Sequence, residues 1–149
     1  MGNLKGNNKQ IDLRPYQEDC ISKLNILDKK DKFSTIVSLP TGGGKTVIGI
    51  KFCLDRMKKG HKILWLADRV KLLDQSIEKF NQYELGSNIS YQLICRNVNT
   101  VFEISRVAEI NPDTQILFVS VGSITAVADG KSNEFDKWIE ASQEDNKKL

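Results

Sequence analysis

Gly42-Gly43-Gly44-Lys45-Thr46 is the stretch of this sequence whose residue types and order could do chemistry. Consecutive glycines reach backbone conformations closed to other residues and put no Cβ in the way of a large anion. Ahead of them Ile36, Val37 and Leu39 read as a short apolar strand, and behind them Val47 to Met57 has the periodicity of a helix. Strand, glycine turn and helix together aim backbone N–H groups and the positive end of a helix dipole at one point, which suits a polyphosphate. Spacing then assigns roles. Lys45 reaches the β- and γ-phosphates of a nucleoside triphosphate, and the Thr46 hydroxyl joins the shell of its Mg²⁺. The strict phosphate-loop pattern has glycine where this chain has Leu39, but the core Thr41-Gly42-Gly43-Gly44-Lys45-Thr46 is intact.

The elements that must hold this turn alternate along the chain. Pro15 suits a first helical position, and Tyr16, Cys20, Leu24 and Leu27 recur on one face behind it. Asp28 to Lys32 is a charged turn. Val47, Ile50, Leu54 and Met57 form an apolar stripe closed by Lys58-Lys59-Gly60, cations followed by glycine. The unbroken apolar run from Ile63 to Ala67 predicts a parallel strand covered on both faces. Val70, Leu73, Ile77 and Phe80 mark a helix; Tyr91, Leu93 and Ile94 a third strand; Val101, Ile104 and Ala108 a further helix, stopped by Asn111-Pro112-Asp113. Ile116 to Val119 is the fourth strand, with short helices expected at 124–128 and 135–139 and Gly130 between them. Strand–helix alternation predicts an α/β fold with a mostly parallel sheet flanked by helices. A nucleotide would sit at the carboxyl ends of its strands.

A chain of 149 residues suits one domain, read here as residues 12–149 behind a mobile, polar leader at 1–11. The formal charge of +3 permits nucleic-acid binding without arguing strongly for it. Cys20, Cys53 and Cys95 are scattered and never form a CxxC pair, which points to buried thiols in a reducing, cytoplasmic setting rather than a metal site. No apolar run approaches the roughly 20 residues of a membrane span, and the N-terminus is no signal peptide.

Four segments resemble the first RecA-like domain of superfamily 2 helicases and translocases, in the branch of type I and type III restriction motor subunits. Leu13-Arg14-Pro15-Tyr16-Gln17 is similar to the motif whose glutamine reads adenine, and Leu39 to Thr46 to the family's phosphate loop. Ile63 to Gln75 resembles its next motif, which carries Asp-Arg and a later Leu-x-x-Gln, and Ile116 to Ile124 resembles a strand and turn that touch nucleic-acid backbone. The resemblance implies a RecA-like P-loop NTPase that binds ATP and Mg²⁺ through Arg14, Gln17, Thr41, Gly42, Gly43, Gly44, Lys45 and Thr46. It implies contacts from Arg69, Ser120 and Ser123 to a nucleic-acid strand, DNA rather than RNA. It also implies a second RecA-like domain and an engine that serves restriction, repair or phage defence. A carboxamide such as Gln17 pairs with the N6 donor and N7 acceptor of adenine. The residues alone leave bland readings open: Gln17 as a surface residue, Arg69 as a solvated charge, Ser120 and Ser123 as turn formers. Trp65 reads as core packing and His61 as an exposed turn residue.

ATP hydrolysis needs a carboxylate in the metal shell and a group that orients water. The family carries both in an Asp-Glu pair after an apolar strand, and no such pair follows residue 120; Glu140, Glu144 and Asp145 stand in a polar tail. The expectation is therefore a chain that stops before that motif, so that these residues alone bind ATP weakly, if at all, and show no DNA-stimulated turnover. Two alternatives remain. Asp68, after the run 63–67, could serve a small phosphotransferase, although Arg96 and Arg106 are not clustered as a lid would need. Otherwise the chain is a non-catalytic nucleotide-binding module.

Overall fold

β5 (Ile116–Ser120) is the centre of the sheet, paired in parallel with β2 (Ile63–Ala67) on one side and β3 (Ile89–Ile94) on the other. All five of its residues are buried, as a continuous Ile-Leu-Phe-Val-Ser run requires of a strand covered on both faces. The computed structural model describes residues 1–96, 99–128 and 133–147, so Gly130 lies outside the described residues. The outer edge of β3 is shared by antiparallel β1 (Gly2–Leu4) and parallel β4 (Ile104–Ser105), giving the order β1–β3–β5–β2. The α/β class and the mostly parallel sheet agree with the sequence.

Two layers of helix cover the sheet. On one face α2 (Lys45–Met57) and α3 (Val70–Asn81) pack through Ile50, Leu54, Leu73, Ile77 and Phe80 against Trp65 and Phe118. The Trp65, Phe80 and Phe118 rings meet with centroids 5.4–6.3 Å apart, so Trp65 is core packing as expected. On the other face Ile94, Leu117 and Val119 lie under α5 (Glu134–Lys147), whose Trp138 indole N–H donates to the Thr114 carbonyl at 2.7 Å. α1 (Pro15–Leu27) packs on α2 through Ile21, Leu24 and Ile48.

β2 departs from expectation. It is an edge strand, with no partner on its outer side among the described residues, and Leu64 and Leu66 are 37% and 46% exposed. The strand expected at 36–39 is also absent. Residues 33–40 belong to no regular element, and Ile36 is 92% exposed. An apolar run becomes a strand only where a neighbour completes its backbone hydrogen bonds. Val37 and Leu39 instead pack beside α1 and α2.

Three further expectations are corrected. Residues 1–11 are not a mobile leader: Gly2 to Leu4 pair with Ile89 to Tyr91, Leu4 is fully buried, and Lys9 bridges to Tyr83. The helix expected over 101–108 is replaced by β4 and a 3₁₀ turn (Val107–Glu109). Buried Gln92 explains this: its Nε2 donates to Ser105 Oγ and the Glu109 carbonyl, while its Oε1 accepts from Asn111 N–H and Thr114 Oγ1. Those four bonds use the full capacity of a carboxamide and draw the segment into turns around it. Finally, α4 (Val121–Ala128) starts directly off β5, and α5 is much longer than 135–139, so Glu140, Glu144 and Asp145 lie on a helix.

Candidate functional site

The glycine turn sits where residues 33–40 give way to α2. Gly42 and Gly44 have φ of 78° and 80°, the left-handed region that side chains resist, and Gly44 caps α2. Gly43 N–H closes the turn on the Pro40 carbonyl at 2.9 Å. Gly44 N–H has no acceptor among the described residues. Thr41, Lys45 and Thr46 are exposed, and the Lys45 ammonium rests on the Leu39 carbonyl at 3.0 Å. Unused N–H groups at a helix start, a cation within reach and a hydroxyl make a donor set that fits a polyphosphate. Among the residues of the turn, the exposed Thr46 carries the hydroxyl that could join the shell of a Mg²⁺ ion bound to the phosphates.

α1 is bound directly to the turn. Gln17 is only 5% exposed; its Oε1 accepts the Arg14 N–H at 2.8 Å and its Nε2 donates to the Gly43 carbonyl at 3.1 Å. The surface-glutamine reading is thus overturned, yet the amide is also committed to protein, retaining one N–H and one lone pair for any base. A side chain that sequence reasoning placed in the apolar stripe of α1 proves polar in function. The Tyr16 hydroxyl donates to the same Gly43 carbonyl at 2.8 Å and receives Arg14 Nη1 at 3.3 Å. The signal available was weak: a tyrosine, with its polar tip, beside a glutamine at a helix start.

A second site opens at the carboxyl ends of β2 and β5, a cleft of about 730 Å³ lined by Asp68, Arg69, Lys71, Arg96, Ser120 and Ser123 among others. Arg69, Ser120 and Ser123, scattered in sequence, are brought together here. The Ser120 and Ser123 hydroxyls are buried and bond each other at 2.8 Å, so the pair has one O–H left to donate. Arg69 is exposed, 3.9 Å from Asp68. Lys71 and Arg96 were not anticipated as members; Arg96 leaves β3 far along the chain, and only the β3–β5–β2 order brings it to Arg69. Thr100 donates to Asp74 Oδ1 at 2.5 Å, tying the far wall to α3. Asp68 lines this cleft, and none of the lining residues belongs to 41–46.

Behind the turn, Arg56 of α2 is 6% exposed, paired with Asp28, bonded to Asn25 Oδ1 at 2.8 Å and stacked over Phe52. It locks the far ends of α1 and α2 together. His61 is half-buried rather than exposed; burial, then the charges of Arg56 and Lys59, lower its pKa. Burial pushes the Cys53 thiol up to about 12, which makes it an inert core group.

The family described as "Type III restriction enzyme, res subunit" matches residues 10–146. The type I restriction enzyme EcoKI endonuclease subunit of Escherichia coli (strain K12) is 26% identical over 119 residues, which cover 77% of this chain and 10% of that protein. The chain thus spans about a tenth of the length of this curated relative. No solved structure gives a significant match. No described helix is long and apolar enough to cross a membrane.

Proposed function

The chain belongs to the type III restriction enzyme res-subunit family, helicase-like ATPases, and from that premise we propose that its glycine turn holds ATP in a motor that moves along DNA. One observation carries the reading: left-handed Gly42 and Gly44 leave the Gly44 N–H unpaired at the start of α2, with Lys45 and Thr46 exposed beside it. Thr41 and the glycine N–H groups cradle the phosphates, Lys45 leaves the Leu39 carbonyl for the β- and γ-phosphates, and Thr46 faces Mg²⁺. Gln17 uses its remaining N–H and lone pair on adenine, with Arg14 alongside. Bound Mg-ATP supplies the phosphoanhydride whose hydrolysis drives movement.

Arg69, Lys71 and Arg96 hold one strand by its phosphates in the second cleft, with the spare Ser120–Ser123 hydroxyl as a further donor. Contacts of this kind are independent of sequence, as a motor needs. The open edge of β2, uncovered Leu64 and Leu66, and the unpaired segment around Ile36 support reading residues 12–149 as an incomplete first RecA-like domain. Further strands, among them one ending in Asp-Glu, would fill that side, and a second RecA-like domain would close over the nucleotide.

The test has two arms. ATPase activity of the full-length gene product should rise with single-stranded DNA and vanish in Lys45→Ala. Single-strand affinity of this chain should fall with salt at a slope of about −2 for three phosphates neutralised, dropping to about −0.7 in Arg69→Ala/Arg96→Ala. DNA binding without salt dependence, or hydrolysis that survives Lys45→Ala, overturns the proposal.

A further inference from the structure

We propose that Tyr16 is a positioning residue for the phosphate loop: its hydroxyl, polarised by Arg14, fixes the Gly43–Gly44 peptide so that the Gly44 N–H faces the phosphates. The inference rests on the nucleotide reading above and deepens it. In a trans peptide the carbonyl and the following N–H point to opposite sides of the chain. The Gly43 carbonyl accepts two bonds from α1, Tyr16 Oη at 2.8 Å and Gln17 Nε2 at 3.1 Å, and no peptide in the described chain is cis. Holding that oxygen against α1 therefore turns the Gly44 N–H away from α1, where it has no acceptor among the described residues.

A glycine-flanked peptide would otherwise be the easiest in the loop to rotate, since Gly43 and Gly44 both lack the Cβ that restrains neighbouring torsions. Two hydrogen bonds to one carbonyl remove that freedom before any ligand arrives, which is how a donor gains affinity through preorganisation. Arg14 contributes through Tyr16. Its Nη1 donates to the phenolic oxygen at 3.3 Å, which favours the tyrosine as donor toward Gly43. The side chain is 41% exposed and packs little, so its hydroxyl can be removed without opening the core. The role is distinct from that of Gln17. Tyr16 acts on the phosphate end alone, so its loss weakens every polyphosphate equally, whereas loss of Gln17 also removes the adenine contact.

The experiment uses Tyr16→Phe and calorimetric titration with inorganic tripolyphosphate and with Mg-ATP, alongside the Gly44 amide resonance of the unliganded protein. The expected result is a shifted Gly44 amide, a melting temperature lowered by a few degrees at most, and affinity for both ligands weakened by the same factor, about two- to fivefold for one partly exposed hydrogen bond. An unshifted Gly44 amide with unaltered tripolyphosphate affinity overturns the positioning role, as does a loss confined to ATP. If neither this chain nor the full-length protein binds either ligand, the nucleotide reading itself falls and takes this inference with it.

Discussion

Gly42 and Gly44 share nearly the same φ, 78° and 80°, but stand in different surroundings. An added Cβ on Gly42 meets nothing within 4 Å, while one on Gly44 falls inside the envelope of Gln17 Nε2. Alanine at either position must hold the left-handed region, at roughly 1–2 kcal/mol. Gly44→Ala must in addition displace a buried carboxamide and break its bonds to Arg14 and Gly43. At about 0.5–1.5 kcal/mol for each, that adds about 1–3 kcal/mol. For a domain of this size, where 1 kcal/mol moves the midpoint by about 2–4 °C, Gly42→Ala should melt about 2–8 °C low and Gly44→Ala a further 2–12 °C. Differential scanning calorimetry reads both. The cause is checked by adding Gln17→Ala: the double variant Gln17→Ala/Gly44→Ala should be more stable than the two single losses summed, because the obstructing amide is gone. Equal melting of the two alanine variants, or strict additivity with Gln17→Ala, would refute the claim that α1 grips the loop.

Asp28→Asn should cost about 3–5 kcal/mol in urea titration, because it strands the buried Arg56 guanidinium, whereas Arg56→Met removes the charge and should cost far less. Stability should also fall below the ordinary His61 pKa of 6.5. Burial and the Arg56 and Lys59 charges lower the folded pKa, so the unfolded chain takes up this proton first as pH drops; the contribution is intact above that value and declines until the folded imidazole also protonates. His61→Asn should flatten melting temperature against pH over that window. A thiol reagent at about pH 8 should label Cys20, which lines the groove beside residues 35–39, well before Cys53 with its thiol near 12; equal rates would contradict the burial of Cys53.

Much of this molecule was legible in the sequence because it depends on local chemistry. The glycine turn, the apolar stripe of α2 and the fully buried β5 each announce themselves in consecutive residues. What failed was decided elsewhere in the chain. Residues 36–39 have a strand's composition, but a strand needs a neighbour, and β2 offers its free edge to none. Leu4 is one apolar residue in a polar stretch, so β1 became visible only once β3 supplied an unpaired edge. The segment 101–108 has helical spacing, yet the Gln92 carboxamide claims Ser105 and Glu109 for itself. In the candidate site the same division holds. Lys45 and Thr46 follow from spacing, whereas Arg96 joins Arg69 only through sheet order and Tyr16 joins Gly43 only through the packing of α1 on the loop.

The central claim is that residues 41–46 receive the triphosphate, and mapping backbone amide shifts during a titration with Mg-ATP tests it most directly. The account predicts saturating shifts at Gly42, Gly43, Gly44, Lys45 and Thr46, with Gln17 following, and their loss in Lys45→Ala. Shifts confined to the Asp68–Arg96 cleft, with the glycine turn unmoved, would contradict it.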